Sequence, residues 1–193
     1  MANELDPLRR SVPVDKINAP ERFELEGLML RRLCVDDAEA VFESYAQDPE
    51  VTRWLTFKTH DHVSHAQDYC LAMEKAWEAG RTFCYALIDP ADHTLFGSIA
   101  LRVDGFHAAF GYAMARSQWG HGHGSRALTA LVEFALNQPT IFRAWAFCDV
   151  ENSASARVME KAGMRLEGVL RRWHVAPNTS PEPRDCFAYA KVR

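Results

Sequence analysis

Between Tyr112 and Leu128 the chain reads Tyr-Ala-Met-Ala-Arg-Ser-Gln-Trp-Gly-His-Gly-His-Gly-Ser-Arg-Ala-Leu. A short strand-like run passes through three glycines at alternate positions and continues into a helix. Leu128, Leu131, Val132 and Ala135 recur at i, i+3, i+4 and i+7, which defines one apolar helical face. Gly120, Gly122 and Gly124 permit positive φ and let a ligand approach the backbone. The N–H groups of the first helical turn have no partner inside the helix, and the helix dipole adds positive potential there. A phosphate or pyrophosphate suits that geometry. A flexible hinge before an ordinary helix is the other reading of the same glycines.

Two phosphate motifs are excluded. A Walker loop needs Gly-x-x-x-x-Gly-Lys-Ser/Thr, and no lysine stands near this loop. A dinucleotide fingerprint needs Gly-x-Gly-x-x-Gly after an early strand, so the spacing and the late position both fail.

The 193 residues suffice for one domain with a full core. Residues 1–24 mix charge and proline without a period and read as an N-terminal arm; 25–193 read as the single domain. With 48% hydrophobic and 25% charged residues the composition is that of a globular protein. A net charge of −4 argues against a nucleic-acid footprint. Cys34, Cys70, Cys84, Cys148 and Cys186 are odd in number and lack Cys-x-x-Cys spacing, so they read as reduced thiols of a cytoplasmic protein. No apolar run reaches membrane-spanning length, and no signal-peptide core is evident.

Leu28–Leu33 reads as a first strand. Asp36 and Glu39 resemble a capping box, followed by the helical face Ala38, Val41, Phe42 and Tyr45. Ser64 and Gln67 cap a second helix with the stripe Ala66, Tyr69, Cys70, Met73 and Trp77, stopped by Gly80. Strands are expected over Thr82–Ile88 and Leu95–Val103, with Asp104-Gly105 turning into the strand that ends near Met114. Arg143–Val150 is a core strand. Asn152 caps a helix whose inward residues are Ala154, Val158 and Ala162 and whose C′ is Gly163. Met164–Val175 and Cys186–Val192 close the chain as strands around the loop Ala176–Arg184. This order predicts a mixed α/β sheet with helices on both faces.

Strand, Trp-Gly-x-Gly-x-Gly-Ser, then helix resembles the acetyl-CoA pyrophosphate loop of the GNAT N-acetyltransferases. Asn152-Ser153-Ala154-Ser155, then Glu160-Lys161-Ala162-Gly163-Met164 and Glu167-Gly168, resembles the Asn-x-x-Ser and Glu-Lys-x-Gly-Phe-x-x-Glu-Gly pattern of the branch that acetylates ribosomal-protein N-termini. Met164 replaces the usual Phe. The resemblance spans about Leu28 to Val192 and implies the GNAT fold, acetyl-CoA as cosubstrate without a metal, and a primary amine acceptor, such as a protein N-terminus. It implies cofactor contacts at Met114, Trp119, Gly120, His121, Gly122, His123, Gly124, Ser125, Asn152 and Ser155. It also places an oxyanion donor at the Met114 N–H, in a strand that splays from Arg143–Val150, and the CoA sulfur near Ser155, which is a candidate proton donor or orienter for it.

Acetyl transfer needs a deprotonated amine, a donor for the thioester oxygen and a proton for the thiolate. Many relatives carry Glu-x-Gly-Tyr before the loop; here Ala109-Phe110-Gly111-Tyr112 lacks the carboxylate. On the penultimate strand, where some relatives have a carboxylate, an ungapped alignment puts His174, an imidazole that accepts protons near neutrality. A half-exposed strand residue is the alternative for His174, and His107 is a second candidate base. Trp54, Phe57 and Trp173 are apolar candidates for the acceptor wall, with core packing the role of at least one. The loss of the carboxylate at Ala109 also admits a non-catalytic acyl-CoA binder of the same fold.

His60-Asp61-His62-Val63-Ser64-His65 resembles the metal motif of metallo-β-lactamase-type hydrolases, with Ser64 in place of the acid, and supplies a third reading as a metal-dependent hydrolase. His121 and His123 offer two ligands where zinc wants three or four. The sequence does not specify the oligomeric state, a homodimer among the options.

Overall fold

The computed structural model describes residues 17–193. Residues 1–16, most of the stretch read as an arm, lie outside the described residues. The end of that stretch is structured: Arg22–Leu25 forms β1, which turns at Gly27 (φ +65°) into β2, Leu28–Arg32. Four residues are too few to display a period, which is why this strand was not legible.

Six further strands complete one sheet: β3 Thr82–Ile88, β4 Leu95–Asp104, β5 His107–Met114, β6 Arg143–Asp149, β7 Arg165–His174 and β8 Arg184–Val192. Their order is β1-β2-β3-β4-β5-β6-β8-β7. All neighbours are antiparallel except β5 and β6, whose connection is a helical crossover. A crossover of this kind returns the chain in the same direction, so the pair must be parallel.

Two cores flank the sheet, one per face. Helices α4 (His123–Leu136) and α5 (Ser153–Lys161) close one of them. Leu128, Leu131, Val132 and Ala135 are fully buried there, as the sequence predicts. Burying each leucine contributes about 1.5–3 kcal/mol. The other core lies under a short helix α1 (Ala38–Val41), widened into a π turn over Phe42–Ala46, and under α3 (Val63–Glu78). Between them Asp48 caps the four-residue α2, Pro49–Thr52.

Three local expectations need correction. The cap before α1 is Cys34 with Asp37, not Asp36 with Glu39: Cys34 N donates to Asp37 Oδ2 at 2.9 Å. Asp37 is buried, and although burial alone would raise its pKa, the Arg31 fork at 2.5 and 2.8 Å holds it below the usual carboxylate value. The cap of α3 is His62, whose Nδ1 accepts from Ser64 N at 3.2 Å, so the helix starts one residue before Ser64. On α5 Val158 and Ala162 pack inward as expected, beside Ala156 and Met159, while Ala154 is exposed.

Candidate active site

The parallel β5–β6 ladder holds for only three residue pairs, His107–Arg143, Ala108–Ala144 and Ala109–Trp145. Beyond Ala109 both strands continue, β5 to Met114 and β6 to Asp149, without pairing to each other. Ala115 N donates to Phe96 O at 2.7 Å, which fixes the alternation along the antiparallel β4–β5 pair. By that alternation the Phe110 C=O and the N–H and C=O groups of Tyr112 and Met114 turn away from β4, toward the opening. A row of backbone donors and acceptors therefore faces a gap between two strands, a template for an extended ligand to join the sheet.

The glycine loop closes over the end of that gap. Gly120 and Gly122 have φ of +82° and +81°, and Gly122 caps α4 in the left-handed conformation. The first backbone bond of the helix runs from Arg126 N to Gly122 O at 3.0 Å, so the N–H groups of His123, Gly124 and Ser125 lie ahead of the ladder. Ser125 Oγ donates to Gly122 O at 2.9 Å and tightens the turn. Trp119 Nε1 donates to Met114 O at 2.9 Å, tying the loop to the end of β5. Gly124 has a different reason to be glycine. A Cβ there would lie 2.7 Å from Met114 Cε, so its missing side chain leaves room for Met114 beneath the loop. The His121 and His123 rings are 6.0 Å apart. His123 Nδ1 and Arg126 Nη2 are 3.0 Å apart, and burial, helped by Arg126, lowers the His123 pKa.

Across the gap stands the first turn of α5. Asn152 Oδ1 accepts from Ser155 N at 3.1 Å, the expected cap. Ser155 Oγ is 2.8 Å from the hydroxyl of Tyr112, which also donates to Ser155 O at 3.2 Å. The Cys148 thiol lies beside Ser155, and burial pushes its pKa up to about 12. Met114, Asn152 and Ser155 thus belong to the same opening.

His174 ends β7 opposite Arg184 of β8, its ring 5.4 Å from that of Phe147. Its Nε2 is shut off from solvent without a hydrogen-bond partner among the described residues. Burial lowers its pKa, and Asp149 acts weakly in the opposite sense. Asp149, 6% exposed, binds Arg184 Nε and Nη2 at 2.5 and 3.1 Å and also accepts from Glu151 N. Burial raises its carboxyl, but the Arg184 guanidinium outweighs it and the pKa falls below the usual value. Arg184 also lies over the Trp54 ring at 5.4 Å, with Arg53 over the same ring at 4.6 Å. Trp54 is therefore packed between two cations. Phe57 lies 5.0 Å from His60 and 6.2 Å from Tyr69. Trp173 is half exposed, edge-on to Phe147.

Asn178 of the β7–β8 loop joins these segments: its Nδ2 donates to Thr52 O and Phe57 O at 2.8 Å, and its Oδ1 accepts from Thr59 N at 3.0 Å. The segment after α2 and the last hairpin form one wall. His107 does not belong to the site. It sits at the closed end of β5, about 24 Å along the strand from Met114 at some 3.4 Å per residue. The histidines of the 60–65 stretch serve separate partners: His62 caps α3, His65 Nδ1 meets Asp61 at 3.0 Å, and His60 packs on Phe57. Among the described residues no three His, Cys, Asp or Glu side chains are grouped to hold a metal ion. Tyr112, Asp149, Arg184 and Asn178 were not singled out from sequence. Tyr112 stood inside the quoted Gly-Tyr phrase; the other three carried no local signal.

An open parallel pair beneath a glycine-capped helix defines an acyltransferase sheet. Residues 27–165 match the acetyltransferase (GNAT) domain, and the chain belongs to that family of acetyltransferases. It is 26% identical over 179 residues to the uncharacterized N-acetyltransferase YoaA of Bacillus subtilis, covering 89% of this chain and 97% of that protein. The fold is similar to that of the microcin C7 self-immunity acetyltransferase MccE in complex with acetyl-CoA and AMP, at a TM-score of 0.81 and 18% identity, covering 91% and 98% of the two chains. It is also similar to RimL, a ribosomal L7/L12 α-N-protein acetyltransferase in complex with coenzyme A, at 0.79 and 18%, covering 89% and 98%. No helix among the described residues is long and apolar enough to cross a membrane.

Proposed function

We propose that this acetyltransferase moves the acetyl group of acetyl-CoA directly to a primary amine, with a protein N-terminal amine as the favoured acceptor class. The observation that carries the reading is the open β5–β6 ladder, which leaves the N–H groups of Tyr112 and Met114 facing the gap between the two strands. The Met114 N–H would stabilise the oxyanion as the carbonyl becomes tetrahedral. The glycine-loop N–H groups at the α4 N-terminus would hold the pyrophosphate of the cosubstrate.

His174 supplies the base in this reading. Its lowered pKa keeps the imidazole neutral at pH 7, and Nε2, covered from solvent and without a hydrogen-bond partner among the described residues, would accept the proton once the bound acceptor has opened a path to it. The balance is simple: nitrogen bonds to the acetyl carbon, the C–S bond breaks, and the proton lost by nitrogen matches the one gained by the thiolate. Trp54, Phe57 and Trp173 line the approach of the acceptor, next to Asp149 and Arg184. A protein N-terminus is favoured because RimL, of the same fold, is described as an α-N-protein acetyltransferase, and the wall beside His174 is built from two separate segments.

The test is release of free CoA thiol from acetyl-CoA by the purified chain against small amines and peptides of varied N-terminal residue. Acetylation of peptide α-amines above small amines is expected, with the acetyl group located by mass spectrometry. Turnover with no amine in the panel would overturn the reading.

A further inference from the structure

Tyr112 sits in the middle of the unpaired stretch of β5, and its side chain crosses to α5. Its Oη lies 2.8 Å from Ser155 Oγ and 3.2 Å from Ser155 O. Asn152 pins the Ser155 backbone from the other side through the 3.1 Å bond to Ser155 N. Two hydroxyl hydrogens thus serve three oxygens, and two arrangements satisfy the geometry without moving a heavy atom. In one, Ser155 donates to Tyr112 Oη while Tyr112 donates to the Ser155 carbonyl. In the other, Tyr112 donates to Ser155 Oγ, and the Ser155 hydrogen is released to point into the gap or to the Cys148 thiol beside it. The 2.8 Å line is the ordinary O–H···O length and the 3.2 Å line is long, so the second arrangement is readily reached.

We propose that Tyr112 is a positioning residue for acyl transfer: by donating to Ser155 Oγ it turns the Ser155 hydroxyl into a donor aimed at the departing sulfur. This rests on the acetyl-transfer reading above. No proton is consumed by the pair. The C–S electron pair stays with sulfur, the nitrogen's proton completes the thiol, and the two hydroxyls supply hydrogen bonds to the charge as it develops. Burial raises the Tyr112 phenol far above its ordinary pKa, so it remains a donor throughout the working range. Neither arrangement is available to phenylalanine.

The experiment measures kcat and KM of the full chain and its Tyr112→Phe, Ser155→Ala and doubly substituted forms, with thermal midpoints alongside. Tyr112→Phe is expected to lower kcat about 10–100-fold while KM for acetyl-CoA stays within about threefold, the signature of an interaction made in the transition state. The double variant is expected to lose no more than the worse single variant, because the two hydroxyls act as one unit. A fully retained kcat in Tyr112→Phe, a double loss equal to the product of the singles, or a loss confined to KM with a lowered midpoint would each overturn the inference. p-Aminophenylalanine at position 112 keeps a donor at the same point and is expected to retain kcat within about fivefold. A folded protein with that residue and a kcat as low as Ser155→Ala would overturn it even if Tyr112→Phe did not fold. A native chain that releases no CoA with any amine overturns the acetyl-transfer reading as well, whereas an active native chain with an indifferent Tyr112→Phe overturns this inference alone.

Discussion

Trp119 Nε1 donates to the carbonyl of Met114 at 2.9 Å, so the residue that opens the glycine loop is tied to the last residue of β5. The carbonyl is one of those facing the gap, and without the indole it would have no strand partner. Trp119→Phe keeps the ring and deletes the bond. One hydrogen bond is worth about 0.5–1.5 kcal/mol, so KM for acetyl-CoA is expected to rise by a factor between about 2 and 12 with kcat less affected. An unchanged KM would show that the loop holds its position without this bond.

Two glycines test the packing beneath the site. A Cβ on Gly97 would lie 2.6 Å from the Ala113 carbonyl, part of the β4–β5 ladder, which has nowhere to go. On Gly124 the nearest atom, at 2.7 Å, is the flexible end of Met114. Overpacking of this kind costs about 1–3 kcal/mol, and Gly97→Ala is expected at the upper end, above Gly124→Ala. Denaturant midpoints check the order. Met114→Ala should recover most of the Gly124→Ala loss but only a minor part of that in Gly97→Ala, where it removes the Met114 Cγ contact at 2.9 Å and leaves the Ala113 carbonyl in place.

His174→Ala is expected to lower kcat by about 10²–10⁴ with acetyl-CoA affinity nearly unchanged. Because burial lowers the His174 pKa, the acid limb of kcat/KM in the native enzyme should lie below 6.5, and it should be missing from the variant. An active variant with the native pH profile would assign the deprotonation to water.

Stability should depend on pH in two separate windows. His60, His123 and His174 all have lowered folded pKa values, chiefly through burial. Below 6.5 the unfolded chain binds protons that the folded chain refuses, so stability falls as pH drops from 7 toward 5. Asp37 and Asp149 are also lowered, but their stabilisation is present above the unfolded value of 3.8 and is lost only as pH falls through and below it. Thermal midpoints from pH 8 to 3 should therefore fall in two stages, with His174→Gln reducing the first and Arg184→Met the second. A flat profile between pH 7 and 5 would contradict the histidine assignment.

What the sequence made legible was what is local. The face of α4, the Asn152 cap and the two left-handed glycines of the loop all arise within a few residues, so period and residue type suffice. The Asp149–Arg184 pair, the Tyr112–Ser155 contact and the reach of Asn178 to Thr52 span 35, 43 and 126 residues. Only the sheet order brings those partners together, and no local pattern encodes it. His62 shows a subtler limit: serine is the better cap by preference, yet the His62 imidazole, two residues earlier, accepts from the Ser64 N–H and starts the helix ahead of it. His107 was misjudged as a base for the reason that decides the Asp149 pair, since position along a strand tells nothing about which end of the ladder is open.

Asn178→Ala removes two donated bonds and two accepted bonds. It should cost about 1–3 kcal/mol in stability and raise the acceptor KM more than that of acetyl-CoA. Equal effects on both constants would separate this wall from the acceptor.

The stitch made by Asn178 also bears on how such a protein changes its preferences over evolutionary time. The segment 52–59 and the hairpin loop lie more than a hundred residues apart, yet side chains of the loop satisfy backbone groups of the segment. A recombination event, or a chimera made at the bench, that imports one of them from a relative leaves carbonyls of the other facing nothing. On the proposed reading, acceptor choice would then be inherited as a matched pair, with variation in either segment tolerated only when the second follows.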